Sequence, residues 1–252
     1  MKKLKFLGAV AMATVLLTSC LDGGNNERSY EAYAVVKMST KSFKNLAYES
    51  DYSVPIYHPQ LDNLSEGQCI YAWKKINGDD PVNQSATEYY TASEFQYRKV
   101  PTGDVAPYLD DTTTIKQNEM TILDAGVGGY MKGMLFVLSS HPNASSDQSN
   151  LMSLSFDRNQ EVKEINGQRV YEVFLRAVKV TDGKNSTGNV TFENAFPMST
   201  FFSYATAQEK SENKTNVYFR FNYIKEFNKD TTAATWATSK VIDYPIPEET
   251  NK

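Results

Sequence analysis

The chain is poor in the residues that most often do chemistry. Its 252 residues hold two cysteines, Cys20 and Cys69, and two histidines, His58 and His141, each followed directly by proline. A nucleophile, histidine and carboxylate triad needs those groups within hydrogen-bond reach, and no Gly-x-Ser-x-Gly elbow is present to build one. Zinc sites want closely spaced Cys and His ligands, yet neither His-Glu-x-x-His nor Cys-x-x-Cys occurs. No catalytic residue, metal site or cofactor is therefore expected. A basic balance is missing too: 26 Lys and Arg stand against 30 Asp and Glu, a formal charge of −4. Such a surface is repelled by nucleic-acid backbones, so nucleic acid is excluded as a partner. Only one long apolar run exists, Phe6 to Leu17, and it falls short of the roughly 20 residues needed to span a bilayer.

Lys2, Lys3 and Lys5 precede that run, and Leu17-Thr18-Ser19-Cys20 closes it, the layout of a cleaved secretory leader over residues 1–19. A small residue directly before a cysteine at this point resembles the lipobox of bacterial lipoproteins. The resemblance implies lipidation of the Cys20 sulfur, cleavage before it and N-acylation, and two or more acyl chains hold a protein stably in a membrane. Residues 20–30 then read as a polar, flexible tether. Leu21, where Asp would signal retention in the inner membrane, points to an outer-membrane anchor. Asp22 and Glu27 supply part of the acidic stretch common in surface lipoproteins of Bacteroidetes, which places the cell surface slightly ahead of the periplasmic face. Loss of the three leader lysines shifts the charge from −4 to −7. With Cys20 committed to lipid, Cys69 has no partner for a disulfide. Its strand-like surroundings, Gln68 to Trp73, suit a small buried apolar residue.

Alternating, β-branched and aromatic segments dominate, and no sustained helical stripe is evident. Ala32 to Met38, Tyr52 to Tyr57, Gln68 to Lys75 and Thr87 to Val100 read as strands of a compact all-β unit over residues 31–100. A polar, proline-punctuated stretch over 101–115 reads as a linker that few core contacts cross. Over 116–247, Glu119 to Leu123, Met131 to Leu138, Leu151 to Phe156, Gln168 to Val180, Asn189 to Phe192, Val217 to Ile224 and Trp236 to Ile242 suit a β-sandwich domain, leaving 248–252 as a tail. Asn166-Gly167 and Asp182-Gly183 mark hairpin turns. Val217, Phe219, Phe221 and Tyr223 should face the core, and Tyr218, Arg220 and Asn222 the other side.

The lipobox and tether, a first unit containing Tyr52-Ser53-Val54-Pro55-Ile56-Tyr57 and Glu66-Gly67-Gln68-Cys69-Ile70-Tyr71, and a larger β domain with a Tyr/Phe-rich strand resemble the NigD-like lipoproteins of Bacteroidetes. The resemblance implies an all-β protein in which a small OB-like β-barrel is followed by a β-sandwich. It brings no established activity and no catalytic residues; the family's association with a bacteriocin locus implies an envelope immunity factor as an alternative role.

An OB-like barrel exposes a concave face suited to oligomeric ligands. Tyr57, Tyr71, Trp73, Tyr89 and Tyr97, with Tyr48 and Tyr90, are the candidate stacking residues for a glycan, peptide or envelope protein, although filling the core is the commoner role of aromatics in small β units. A carbohydrate-active enzyme would need two carboxylates facing each other at about 5 to 9 Å; Asp110, Asp111, Asp124 and Glu193 are available. Gly126-Val127-Gly128-Gly129 reads as a turn or bulge rather than a phosphate cradle. The loop from Asp182 to Asn189 holds one carboxylate and a lysine, against a calcium loop. Asp111-Thr112-Thr113 and Asp230-Thr231-Thr232 resemble the O-glycosylation acceptor of exported Bacteroidetes proteins and would place sugars on Thr112 and Thr231.

Overall fold

The computed structural model describes residues 26–247, so the leader, Cys20 and the tail over 248–252 lie outside the described residues. Its first sheet contains β1 (Glu27–Met38), β2 (Asn45–Tyr48), β3 (Ile56–Tyr57), β4 (Cys69–Asn77), β5 (Tyr90–Thr91) and β6 (Glu94–Lys99), with a single 3-10 turn at Pro59–Asn63 and the short helix α1 (Pro81–Gln84) between strands. The strand order is β5-β3-β2-β1-β4-β6. β5 and β6 thus occupy opposite edges, yet only Ala92 and Ser93 separate them in the chain. The sheet must curl until its edges meet: the Ala92 N–H bonds Tyr57 O and the Ser93 N–H bonds Lys75 O, both at 2.9 Å. The result is a small barrel. β1 is long enough to serve two neighbours, and Val35 is opposite both Tyr48 and Cys69. Ala34, Val36, Ala47, Ile56, Ile70, Ala72 and Phe95 fill the interior, with Leu61 and Leu64 packed against them.

The second unit continues with β7 (Asp104–Ala106), β8 (Asp124–Met131), β9 (Met134–Ala144), β10 (Ser149–Ser155), β11 (Lys163–Ile165), β12 (Gln168–Thr181), β13 (Gly188–Pro197), helix α2 (Ser199–Ser211), β14 (Asn216–Phe227), β15 (Ala234–Thr238) and β16 (Ile242–Pro245). A seven-stranded sheet, β15-β14-β12-β10-β7 with β11 on β12 and β16 on β14, faces the three-stranded sheet β13-β9-β8. The sandwich core lies between them, with Phe201, Phe202 and Ala205 of α2. Val217, Phe219, Phe221 and Tyr223 are buried as the alternation requires.

The run Met134 to Leu138 is apolar on both faces because both are covered. Leu135 and Val137 enter the sandwich core, while Phe136 turns to the barrel, where Met131 and Ala195 join it against Val35, Cys69 and Val100. Gly128 permits this approach: a Cβ there would lie 2.5 Å from the Tyr33 ring. It also marks a β-bulge in β8, between Val127 and Gly129. Within residues 101–115, β7 pairs with β10 and the Gly103 N–H bonds Ala195 O, so this stretch contributes to the second unit.

Several local expectations are corrected. Glu119 to Leu123 forms only an isolated bridge, Glu119 to Val178. Tyr52 to Tyr57 shortens to β3, Thr87 to Val100 divides into β5 and β6, and Trp236 to Ile242 divides into parts of β15 and β16. Asn166-Gly167 does turn a tight hairpin, with positive φ at both residues and Ile165 opposite Gln168. Asp182-Gly183 does not: β12 and β13 belong to different sheets, and the loop crosses between them. Helix α2 was not evident in the sequence, because its buried Phe201, Phe202, Ala205 and Glu209 alternate with Ser, Thr and Gln and include a carboxylate.

Candidate functional site

The barrel aromatics do not form one face. Tyr57 and Tyr89 meet with ring centres 5.4 Å apart, and the Lys44 ammonium lies 4.0 Å from the Tyr57 ring centre while donating to the Tyr89 hydroxyl at 2.9 Å. Tyr71 points from β4 toward the second unit, its ring tilted against that of Tyr33 with centres 4.9 Å apart, under the Arg98 guanidinium and donating to Glu31 Oε2 at 2.8 Å. Trp73 shares the outer face of β4 with Tyr71 and is opposite Glu31 and Gln96. Tyr97 packs inward against the barrel core, Tyr48 lies under Lys132, and Tyr90 stands part-exposed on β5.

A concavity lies instead at the junction of the two units. The β8–β9 hairpin turns through Lys132 and Gly133, both with positive φ. Its tip meets the loop after β2: the Lys132 N–H donates to Asp51 Oδ1 at 2.8 Å, with the Lys132 ammonium 3.6 Å from the same oxygen. A Cβ on Gly133 would strike Ser199 Oγ at 2.3 Å, so glycine lets the hairpin sit on the start of α2. The groove so formed has a volume of about 410 Å³. Tyr130, Phe202 and Tyr244 make its floor, with ring centres 4.2 Å apart for Tyr130–Phe202 and 4.4 Å for Phe202–Tyr244. Asp51 forms one wall and Ser203, Thr206 and Lys210 of α2 the other, and Ile246 and Pro247 close an end. Burial holds the Tyr130 and Tyr244 hydroxyls above their ordinary pKa, so both are neutral donors at physiological pH. Tyr52 adjoins Asp51, is 78% exposed and lies close enough to Tyr244 to raise its pKa further. No sequence pattern announced this site, since its residues come from four separate segments.

The residues that could suggest catalysis are engaged in packing. Arg176, buried on β12, grips Glu119 through Nε and Nη2 at 2.5 and 2.6 Å and donates to Asp111 O and Thr114 O. Asp110 pairs with Lys116 at 2.5 Å, and Asp111 accepts from the Thr113 hydroxyl at 2.6 Å, which pulls both carboxyls below their usual pKa. Asp124 and Glu193 lie on the strands flanking β9, opposite Ser140 and Leu138, and Glu193 pairs with Arg98 at 2.5 Å. Glu172 holds Arg220 and Lys163, and Glu209 of α2 accepts from Arg169 and from the Tyr171 hydroxyl. Inside the barrel Lys74 is fully buried, paired with Glu49 and 4.3 Å from the Tyr30 ring centre; burial lowers its pKa. Cys69 is buried, and its thiol is pushed up to about 11. His58 caps the 3-10 turn and stacks on Phe95. Asp147 accepts from the Lys184 and Asn185 N–H groups, clamping the loop from Asp182 to Asn189. Thr112 is half-buried in the loop anchored by Arg176, and Thr231 is exposed in the turn between β14 and β15.

The curled six-stranded sheet and the sandwich beside it define an all-β protein in which an OB-type barrel precedes a β-sandwich. Residues 24–97 match the family model of the lipoprotein OB domain, a span that contains most of the first unit. The whole fold is similar to that of an uncharacterised protein from Parabacteroides merdae, with 26% identity and a TM-score of 0.77 over 87% of this chain and 100% of that one. It is also similar to a candidate lipoprotein from Bacteroides fragilis (9% identity, TM-score 0.52, 88% and 99% of the two chains) and to a NigD-like immunity protein from Bacteroides caccae (14%, 0.46, 86% and 97%). A search of curated proteins gave no match.

Proposed function

We propose that this protein is a lipid-anchored, non-catalytic binding module of the cell envelope, held in the outer membrane through Cys20 and displayed at the cell surface. The observation that carries this reading is positional: the lipoprotein OB domain match begins at residue 24, four residues after Cys20, the expected first residue once a leader over residues 1–19 is removed. Two features support a binding role. The groove at the junction is open, aromatic-floored and rimmed by polar groups, the composition of small-ligand sites, which favour domain interfaces. The interior carboxylates Glu49, Glu119 and Glu172 pair with Lys74, Arg176 and Arg220, and His141 bonds Thr121 O and Ser139 Oγ, so none of these groups lines that groove.

Mass spectrometry of the protein extracted from native membranes tests the anchor. The expected result is a mature chain beginning at Cys20 with a diacylglyceryl thioether and an acylated amine. An intact leader or an unmodified Cys20 would overturn the reading. Protease treatment of intact cells tests the orientation, with digestion of the β units expected and full protection contradicting surface display.

A further inference from the structure

We infer that the junction groove is a saccharide-binding site that takes a neutral sugar ring, an inference that rests on the binding-module reading above. Three features of the groove point to this chemistry. Its floor is made of aromatic rings, and the apolar C–H faces of a sugar stack on such surfaces as other apolar groups do. Its polar groups are neutral hydroxyls: Ser203 and Thr206 stand one turn apart on α2, their hydroxyls have no hydrogen-bond partner among the described residues, and the Tyr130 and Tyr244 hydroxyls stay protonated. Its charged groups already have partners. Asp51 is held by Lys132, and Lys210 is itself engaged, so neither selects an ionic ligand. Asp51 Oδ2 remains an acceptor for a sugar hydroxyl.

Tyr52 supplies the opposing surface. Tyr52 is 78% exposed, follows the groove-lining Asp51 on the barrel side and is near enough to Tyr244 of the sandwich side to act on its pKa. A ring entering between them would be held by both units at once. An extended peptide would instead seek an unpaired sheet edge for its backbone hydrogen bonds, and the groove is walled by a helix and side chains.

The mature protein in detergent would be screened by calorimetry against maltoheptaose, mannohexaose, xylohexaose and chitotetraose, with sialyllactose and oligogalacturonate as acidic controls. Binding of at least one neutral glycan is expected, weakened about tenfold or more by Tyr52→Ala and by Ser203→Trp, both at exposed positions outside the core. Val180→Ala, on the exposed end of β12, should bind as the unmodified protein does. Absence of neutral-glycan binding, preference for the acidic probes, or affinity unchanged in both groove variants would overturn the inference. Circular dichroism confirms that each variant is folded. The acylation of Cys20 is read separately by mass, so failure here is distinguishable from failure of the envelope reading.

Discussion

Acidification from pH 7.5 to 4.5 should destabilise the fold by about 2.5 kcal/mol through His141 alone. The imidazole is fully buried, with Nδ1 3.0 Å from Thr121 O and Nε2 2.9 Å from Ser139 Oγ. That pattern fits a neutral ring donating through Nδ1–H and accepting from the serine. Burial lowers its pKa from 6.5 to about 4. Since the folded state favours the neutral form, the stability it confers is fully present above pH 6.5 and is lost as pH falls toward 4. A gap of about 2.5 pH units is worth at most roughly 3 kcal/mol, and most of it is gone by pH 4.5. The carboxylates with depressed pKa act in a lower window: Asp147, at about 2, keeps its contribution above its ordinary 3.8 and loses it only below. Urea denaturation at pH 7.5, 5.5 and 4.5 isolates the effect by comparison with His141→Asn. The variant should be less stable by roughly 1–3 kcal/mol at pH 7.5, having left the Ser139 hydroxyl unpaired, and should close most of that gap at pH 4.5. Parallel loss of stability in the two proteins would refute the reasoning.

Arg176→Met should destabilise by about 3–5 kcal/mol, because it strands the buried Glu119 carboxylate; limited proteolysis should then cut first within 107–116, the segment whose carbonyls Arg176 holds. Phe136→Ala removes a ring buried between the two units and should cost about 3–5 kcal/mol; a thermal scan that divides into two transitions would show that this side chain couples barrel to sandwich, and an unshifted single transition would contradict it. Cys69, with its thiol pushed up to about 11, should resist Ellman's reagent in the native state and react fully in guanidinium; rapid native labelling would place it at the surface instead.

The strands with clean alternation or continuous apolar character were legible in the sequence. β14 was visible because Val217, Phe219, Phe221 and Tyr223 answer to one buried face, and the β11–β12 hairpin because Asn166-Gly167 accepts the positive φ values a two-residue turn demands. The short strands β2, β3, β5 and β7 contain too few residues to establish a period, and β5 and β7 pair with strands far along the chain, β3 and β10. Helix α2 was hidden for a different reason. Its buried face includes Glu209, which tertiary partners Arg169 and Tyr171 make tolerable, so the polarity of the sequence masked the stripe. The barrel aromatics Tyr57, Tyr71, Trp73, Tyr89 and Tyr97 stand out in the sequence as candidates for stacking on a ligand, and strand parity and curling distribute them over several faces. Membership of the groove depends on which loops the closed barrel brings to the sandwich, a property of topology rather than of any local pattern.

Units joined by a single chain ordinarily move with respect to each other unless the contact is apolar and extensive. Here the three-stranded sheet belongs to both: Leu135 and Val137 complete the sandwich core while Phe136, between them, stacks on Tyr33 at 4.8 Å in the barrel contact. Ion pairs flank that apolar contact, Arg98 with Glu193 and Lys132 with Asp51. A hinge at this place would have to expose Val35, Cys69 and Phe136 together. The loop bearing Asp51 and Tyr52 is thereby held against the floor of Tyr130, Phe202 and Tyr244, and the groove is preformed before any ligand arrives. Preorganisation of this kind removes an entropic cost from binding, because the walls need not be ordered when a ligand enters.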